Sequence, residues 1–321
     1  MLKNENYVDI LDKNCSLIEL NEKTSWKEDG ITIAGGYGRG DRLNQLSFPQ
    51  GICVDNENEC IYIADLANHR IIQWKFGAKS GQIVAGGNGE GNQRNQLNSP
   101  TDVLFVGKNN CLIICDYGNR RIMRWFLHNK QQGEIIVNNI DCIAISIDNH
   151  GHLYISNCEK HEIIRWIIEE NKGCVVAGGN GKGDHLNQLN QPHFLFVDVN
   201  YSIYVSDWNN HRVMKWIKDS KEGILLAGGN GHGNDSTQLH HPEGIFVDYR
   251  GHLYVADAGN FRVMCWTRHS KQGRIIAGGN GKGEEADQFT SLQGLAFDRH
   301  FNLYLTDSDN NRIQKFSIDS Q

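Results

Sequence analysis

The sequence predicts an all-β protein, a six-bladed β-propeller of four-stranded antiparallel blades. One pattern recurs six times along the 321 residues, and each copy ends at an aromatic residue. These residues lie 51, 41, 50, 50 and 50 positions apart, and a period of 40–50 residues is typical of propellers and solenoids. Each copy contains four short β-type runs and no helical periodicity, which favours a propeller blade. The six aromatic residues are Trp74, Trp125, Trp166, Trp216, Trp266 and Phe316.

Residues 224–266 show the order of elements within one repeat. ILLAGG (224–229) is an apolar run that stops at two glycines and predicts an outer strand. A polar, Gly-rich loop follows, and its Gln238-Leu239 pair is expected to fill the space between blades. GIFVD (244–248), LYVAD (253–257) and FRVMCW (261–266) predict the next three strands, separated by turns rich in Gly, Asn and Asp.

Two tripeptides carry a resemblance to a known family. Asn68-His69-Arg70 and Asn210-His211-Arg212, each followed by apolar residues, resemble the signature of the NHL-repeat family. The wider pattern P-x-G-I-x-V-D, then G-x-L-Y-V-A-D-x-x-N-x-R-V, is similar to that family from about residue 31 to 316. The resemblance implies a β-propeller, usually six-bladed, which agrees with the six repeats.

The two ends of the repeat array predict how the ring closes. The last repeat ends at Phe316 without an outer strand, whereas ITIAGG (31–36) is an outer strand with no blade before it. We expect residues 31–36 to complete the last blade, because this pairing removes an exposed sheet edge. The chain is therefore divided into an N-terminal surface extension (1–29) and a single propeller (30–321).

Composition narrows the function classes. The net charge of −6 disfavours a dominant electrostatic grip on nucleic acid or an anionic membrane. No apolar stretch reaches membrane-spanning length and no signal peptide is apparent, so we expect a cytoplasmic protein. The nine cysteines lack a C-x-x-C motif and are interpreted as packing residues in a reducing compartment. Cys111 and Cys115 are the pair that could face each other.

An Asp and an Arg recur five residues apart around a turn. A carboxylate there can hold both the guanidinium and backbone N–H groups, and five copies in one register indicate a structural device. The pairs are Asp65/Arg70, Asp116/Arg121, Asp207/Arg212, Asp257/Arg262 and Asp307/Arg312.

The third repeat departs from this rule. It has Asn157 and Glu162 in place of the pair, and Lys160 in place of the usual turn Asn. It also lacks the Gly-rich loop, which accounts for the interval of 41 residues. These three residues are candidates for a specialised interaction site, and simple decay of the repeat is the alternative.

The mouth of the central channel is the place where an enzyme site would form, because small-molecule sites favour concave positions. The residues expected there contain one His and one or two carboxylates, whereas catalytic zinc needs about three such ligands and calcium six to eight oxygens. We therefore expect no metal or cofactor, with His193 and Glu243 as weak metal candidates. The channel-mouth residues are Gln50, Thr101, Asp102, Ile143, His193, Glu243 and Gln293.

Three functions follow from these residues and from the resemblance. The first is a non-catalytic protein-interaction propeller. NHL propellers commonly form the recognition half of RING-type and tripartite-motif ubiquitin ligases, and this chain has no RING or B-box array. The resemblance thus implies a substrate-recognition or scaffold subunit in such a pathway. The alternatives are a metal-dependent lyase or hydrolase, similar to the peptide-amidating lyase, and an RNA-binding propeller that uses Arg120, Arg121 and Arg124.

Overall fold

The structure, a computed structural model, describes residues 24–128 and 131–319. Within these ranges the chain forms 24 strands in six separate four-stranded antiparallel sheets, which are the predicted blades. The first strands of neighbouring blades contact one another all the way around, so they line a central channel. The all-β, six-bladed prediction is confirmed.

The strands run in chain order through the six blades. Blade 6 begins with β1 (Ile31–Gly35), and blade 1 contains β2 (Pro49–Asp55), β3 (Cys60–Asp65), β4 (Arg70–Lys75) and β5 (Gln82–Gly86). Blade 2 contains β6 (Pro100–Val106), β7 (Cys111–Asp116), β8 (Arg121–Phe126) and β9 (Glu134–Asn138). Blade 3 contains β10 (Cys142–Ile147), β11 (Leu153–Asn157), β12 (Glu162–Ile167) and β13 (Lys172–Gly178). Blade 4 contains β14 (Pro192–Val197), β15 (Ile203–Asp207), β16 (Arg212–Trp216) and β17 (Ile224–Gly228). Blade 5 contains β18 (Pro242–Val247), β19 (Leu253–Asp257), β20 (Arg262–Trp266) and β21 (Arg274–Gly278). Blade 6 is completed by β22 (Leu292–Phe297), β23 (Leu303–Asp307) and β24 (Arg312–Phe316).

Short 3-10 turns join the second and third strands of the first five blades. Each turn ends at a residue in the left-handed region, such as His69 with φ of 51°, whose N–H donates to Leu66 O. We call the face of the ring that carries these turns and the Gly-rich loops the loop face. The 3-10 turns are Leu66–Asn68, Gly107–Asn109, Tyr117–Asn119, Cys158–Lys160, Trp208–Asn210 and Ala258–Asn260, of which Gly107–Asn109 joins the first and second strands of blade 2.

The ring closes as predicted. β1 pairs antiparallel with β24, with Ile31 opposite Lys315 and Gly35 opposite Arg312, so the N-terminal strand is the outer strand of the last blade. Upstream of β1, Trp26 is buried and donates its indole N–H to Phe301 O at 2.9 Å. The division of the chain at residue 29 stays a prediction, since residues 1–23 lie outside the described ranges.

Apolar side chains from the Gly-rich loops fill the spaces between blades. Each loop places one fully buried side chain there, which agrees with the expectation for the Gln-Leu pairs. These side chains are Leu46, Leu97, Leu189, Leu239 and, in the last blade, Phe289.

Among the described residues, no helix has the length and apolar character that crossing a membrane requires.

One cysteine pair departs from the sequence interpretation. Cys115 on β7 and Cys142 on β10 form a disulfide, with Cα atoms 5.7 Å apart, whereas Cys111 remains a free thiol. The bond joins blade 2 to blade 3. Spacing along the chain does not reveal such a pair, because the two cysteines lie on strands of different blades.

Candidate functional site

The Asp/Arg pairs hold the Gly-rich loops on the loop face, as blade 5 shows. The buried Asp257 carboxylate accepts hydrogen bonds from Arg262 Nε at 2.8 Å, Asn260 Nδ2 at 2.8 Å and the His240 backbone N–H at 2.7 Å. The remaining guanidinium nitrogens of Arg262 donate to three backbone carbonyls of the loop, at residues 234, 235 and 238. We call this arrangement of Asp, Asn, Arg and loop carbonyls a clamp.

The same clamp recurs in blades 1, 2, 4 and 6. In every case the Arg Nε donates to the Asp and the other guanidinium nitrogens donate to carbonyls of the loop that enters the blade. Arg70, for example, donates to Asp41 O and Gln45 O. Each clamp therefore joins a turn of one blade to the loop that arrives from the preceding blade.

Blade 3 has lost both parts of the clamp together. Its entering connection is only residues 139–141, so the loop carbonyls that an Arg would bind do not exist. Asn157 Nδ2 donates to Glu162 Oε1 at 2.9 Å, and the buried Asn157 Oδ1 has no hydrogen-bond partner in the part of the chain that the structure describes. Lys160 is exposed. In the other blades the Asp, Asn and Arg of the clamp hold the Gly-rich loop. Blade 3 lacks this loop, and the three clamp residues are changed as well.

Without this loop, the outer part of blade 3 is less covered than in the other blades. Trp166 is half-buried, whereas the four equivalent tryptophans are at most 3% exposed. Ile164 is also half-buried, and Gly173 is exposed while Gly223 at the same position of blade 4 is buried. Ile164 and Trp166 therefore form a less covered apolar strip beside Glu162, packed against the core shared by blades 2 and 3, and we call this strip the groove between blades 2 and 3.

At the channel mouth, the structure brings two of the predicted residues together. His193 Nδ1 lies 2.9 Å from Glu243 Oε2 and 3.0 Å from Oε1, and Glu243 is buried. The carboxylate accepts a hydrogen bond from Nδ1–H, which leaves Nε2 of the neutral imidazole as an acceptor. His193 also stacks on Trp208 with ring centroids 4.8 Å apart. This pair can accept a proton, but it supplies only two of the ligands that a metal would need.

The other channel candidates do not join this pair. Thr101 Oγ1 donates to Cys142 O at 3.2 Å, and Gln293 Nε2 lies 3.4 Å from Ser291 Oγ. Gln50 is half-buried at the start of β2. No group of three or more His, Cys, Asp or Glu is arranged to hold a metal ion within the described ranges.

Asp102 lies in the channel wall and connects two blades. Its carboxylate accepts the N–H of Val103 at 2.9 Å and the N–H of Ile145, on the first strand of blade 3, at 3.0 Å. Gly51 leaves the space for this carboxylate, since a Cβ at that position would collide with it. Burial raises the pKa of the Asp102 carboxyl to about 7, although both N–H bonds oppose the rise.

Sequence reasoning missed a cluster of five histidines on the loop face between blades 4 and 5. His211, His232 and His240 have ring centroids 5.4–5.5 Å apart, and His241 lies 4.7 Å from His211. His193 and His241 both stack on Trp208, with ring centroids 4.8 and 3.9 Å from it. The sequence contains a signal at positions 240 and 241, where the other Gly-rich loops carry Ser, Asn, Thr, Gln or Phe in place of histidine. We call this the histidine cluster; its members are His193, His211, His232, His240 and His241.

Hydrogen bonding sets the tautomer of one member. His211 Nδ1 accepts the backbone N–H of His241 at 3.2 Å, so the neutral ring carries its proton on Nε2. The same bond joins His69 to Ser99 N–H and His161 to Gln191 N–H, so this histidine of the repeat connects successive blades. A protonated His211 would lose the bond.

The histidine cluster predicts a stability loss in mild acid. Burial, followed by His211, His240, His193 and His232, lowers the pKa of His241 from 6.5 to about 4. The unfolded chain therefore binds more protons between these values, so the unfolding free energy should fall as the pH drops from about 6.5 to 4. Gln occupies the equivalent position, 191, in the loop that enters blade 4. In urea titrations across this pH range, the unfolding free energy of His241→Gln should therefore fall less steeply than that of the wild type.

The matched control is His185→Gln, since His185 is exposed and lies outside the histidine cluster. It should follow the wild-type pH dependence. Equal slopes for His241→Gln and the wild type would contradict a role for the depressed pKa of His241.

The basic residues considered for RNA binding are already paired. Arg120 donates to Asp141 at 2.7 Å, Arg121 to Asp116 at 2.6 Å and Arg124 to Glu134 at 2.7 Å. Because each guanidinium faces a carboxylate, these three residues do not form a positive patch for a phosphate backbone.

Comparisons with known proteins agree with the architecture. The NHL-repeat family model matches residues 46–74. No curated protein sequence matches the chain. An auxiliary nutrient-binding protein from Bacteroides thetaiotaomicron is similar in structure, with 14% identity, 92% of this chain and 78% of that one covered, and a TM-score of 0.71.

Two enzymes are also similar in structure. For a gluconolactonase from Xanthomonas campestris the identity is 12%, the coverage 94% of this chain and 99% of that one, and the TM-score 0.63. For virginiamycin B lyase from Staphylococcus aureus the identity is 13%, the coverage 92% of this chain and 100% of that one, and the TM-score 0.60. At such identities the likeness shows the fold alone.

Proposed function

From a chain that folds as a six-bladed β-propeller and carries an NHL repeat, we propose a non-catalytic protein-interaction function. One observation carries the proposal. Five blades cover their outer hairpin with a clamped Gly-rich loop of the same chain, and blade 3 leaves this position open. Exposed apolar surface beside uncovered backbone is typical of a surface that binds another chain.

The channel supports this proposal over a catalytic one. Its most reactive pair, His193 with Glu243, has no hydroxyl or thiol nucleophile among its hydrogen-bond partners in the described residues. A metal-dependent lyase or hydrolase would need further ligands beside this pair. The similar gluconolactonase and lyase structures share the propeller fold with this chain, and that likeness alone does not favour a catalytic function.

Affinity purification of the tagged protein, with and without nuclease, tests the proposal. A reproducible protein partner that resists nuclease is the expected result, and ubiquitin machinery among the partners would support a substrate-recognition subunit of that pathway. Partners that disappear with nuclease would favour RNA binding. Failure to recover a partner under any condition would contradict the interaction function.

Replacing both His193 and Glu243 by alanine separates the interaction function from the enzyme alternative. The double variant should retain every partner, because the open groove lies at blade 3 and the pair lies at blades 4 and 5. The measurement is the partner yield relative to wild type, with thermal melting as a check of folding. Loss of a catalytic rate in this variant would favour the enzyme.

A further inference from the structure

The groove between blades 2 and 3 lacks a segment that every other junction contains. In blade 4 this segment is the loop over residues 179–191, which the Arg212 clamp holds. The Leu186 carbonyl in this loop accepts the N–H of Gly223, just before the outer strand, at 2.7 Å. The loop thus supplies backbone carbonyls and one apolar side chain, Leu189, to its blade.

Blade 3 offers the opposite polarity at the same place. Glu162 occupies the position of the clamp arginine, and a carboxylate accepts hydrogen bonds where a guanidinium donates them. Among the described residues, Asn157 Nδ2 donates a hydrogen bond to its carboxylate. A segment rich in carbonyls, such as the chain's own loops, would therefore be repelled here, whereas a cationic side chain would be attracted.

Apolar side chains and a longer outer hairpin form the rest of the groove. Ile164, Trp166 and Ile168 pack against the core between blades 2 and 3 and remain half-buried. The outer hairpin pairs two positions further than in blade 4, with Trp166 opposite Gly173 and Ile167 opposite Lys172. The Cys115–Cys142 disulfide connects the same two blades covalently, through the second strand of blade 2 and the first strand of blade 3.

We propose that the groove between blades 2 and 3 binds an extended segment of a protein partner. A Lys or Arg of this segment pairs with Glu162, and an apolar side chain of the segment covers Trp166. The inference rests on the proposed interaction function and names its site and the chemistry of its partner. Arg120, on the turn of blade 2, already pairs with Asp141, and the described hydrogen bond of the Glu162 carboxylate comes from the neutral Asn157 amide, so the proposal assigns the cation to the partner.

Site-specific photo-crosslinking tests the location. A benzoylphenylalanine placed at Val175, which pairs with Ile164 and is 49% exposed, should form an adduct with a partner protein in cell extract. The matched control is Leu225, which has the same register in blade 4 and is 43% exposed. Mass spectrometry of the adduct should locate the crosslink within a few residues of a Lys or Arg.

A synthetic peptide of the crosslinked segment tests the charge. Glu162→Lys should weaken its binding about tenfold or more, and Glu162→Gln should weaken it less. Exchanging the basic residue of the peptide for Glu should restore binding to Glu162→Lys. Glu222→Lys, an exposed change on the outer hairpin of blade 4, should leave the affinity unchanged. Thermal melting of each variant shows whether it is folded.

The outcomes separate the two proposals. Partners that purify with the wild type but crosslink equally at both positions, or bind Glu162→Lys as tightly as wild type, would overturn the groove inference alone. An adduct with a second copy of this chain, or with an acidic segment, would also overturn it. Absence of any partner in both the purification and the crosslinking would overturn the interaction function as well.

Discussion

Deletion of residues 1–36 is expected to abolish the cooperative unfolding transition of the propeller. The deletion removes β1, so β24 becomes an exposed edge and the buried Phe316 loses part of its cover. It also removes Trp26, whose ring packs against Tyr254 and Phe297. The loss should approach the roughly 5–15 kcal/mol that stabilises a typical domain, and the open edge should promote aggregation. Calorimetry and light scattering measure the two effects.

Deletion of residues 1–23 alone is the control. It retains Thr24, whose carbonyl accepts a hydrogen bond from Arg274, together with Trp26 and β1. This shorter deletion should unfold cooperatively. If the protein without residues 1–36 were soluble, monomeric and as stable as the control, closure of the ring by β1 would not be required for folding.

Asp257→Ala is expected to lower the unfolding free energy by about 3–5 kcal/mol. The variant leaves the buried Arg262 guanidinium without its carboxylate, and it also removes the acceptor for Asn260 and for the His240 backbone N–H. The Gly-rich loop over residues 229–241 should become less protected from hydrogen exchange, because Arg262 holds its carbonyls. Urea unfolding at neutral pH gives the stability change.

Asn157→Ala in blade 3 is the matched control, since this position has neither an Arg partner nor a loop to hold. It should cost less than about 1 kcal/mol, because the lost hydrogen bond to the half-buried Glu162 is offset by removal of a buried amide oxygen that has no partner among the described residues. Equal unfolding midpoints for Asp257→Ala and the wild type would refute the structural role of the clamps.

Much of the fold was predictable because the six repeats show the same local pattern, so each strand and turn is indicated several times. Apolar runs bounded by Gly, Asn and Asp recur in one register, so an error in one copy is corrected by the others. The pairing of β1 with β24 was predictable as well, since one end of the array lacked an outer strand and the other end had a spare one.

The candidate sites were predictable only in part. Position within the repeat was enough to expect His193 and Glu243 near each other, and the structure places them in contact. The absent loop and the changed residues Asn157, Lys160 and Glu162 were visible as well. The link between the absent loop and these changed residues was not visible in the sequence. In the other blades the clamp arginine binds backbone carbonyls of the loop, and these lie 24 to 29 residues away in the chain.

The sequence by itself determined the blades, their number and the closure of the ring, because these depend on local alternation of side chains and on repetition. Apart from the contact between His193 and Glu243, only the tertiary structure decided which side chains from different blades meet. The histidine cluster combines the turn of blade 4 with the loop entering blade 5, and the disulfide combines strands of blades 2 and 3. Trp166 is less buried than its equivalents because the loop that the other five junctions contain is missing before blade 3. Such contacts depend on how neighbouring sheets pack, and the pattern within one repeat carries no record of that packing.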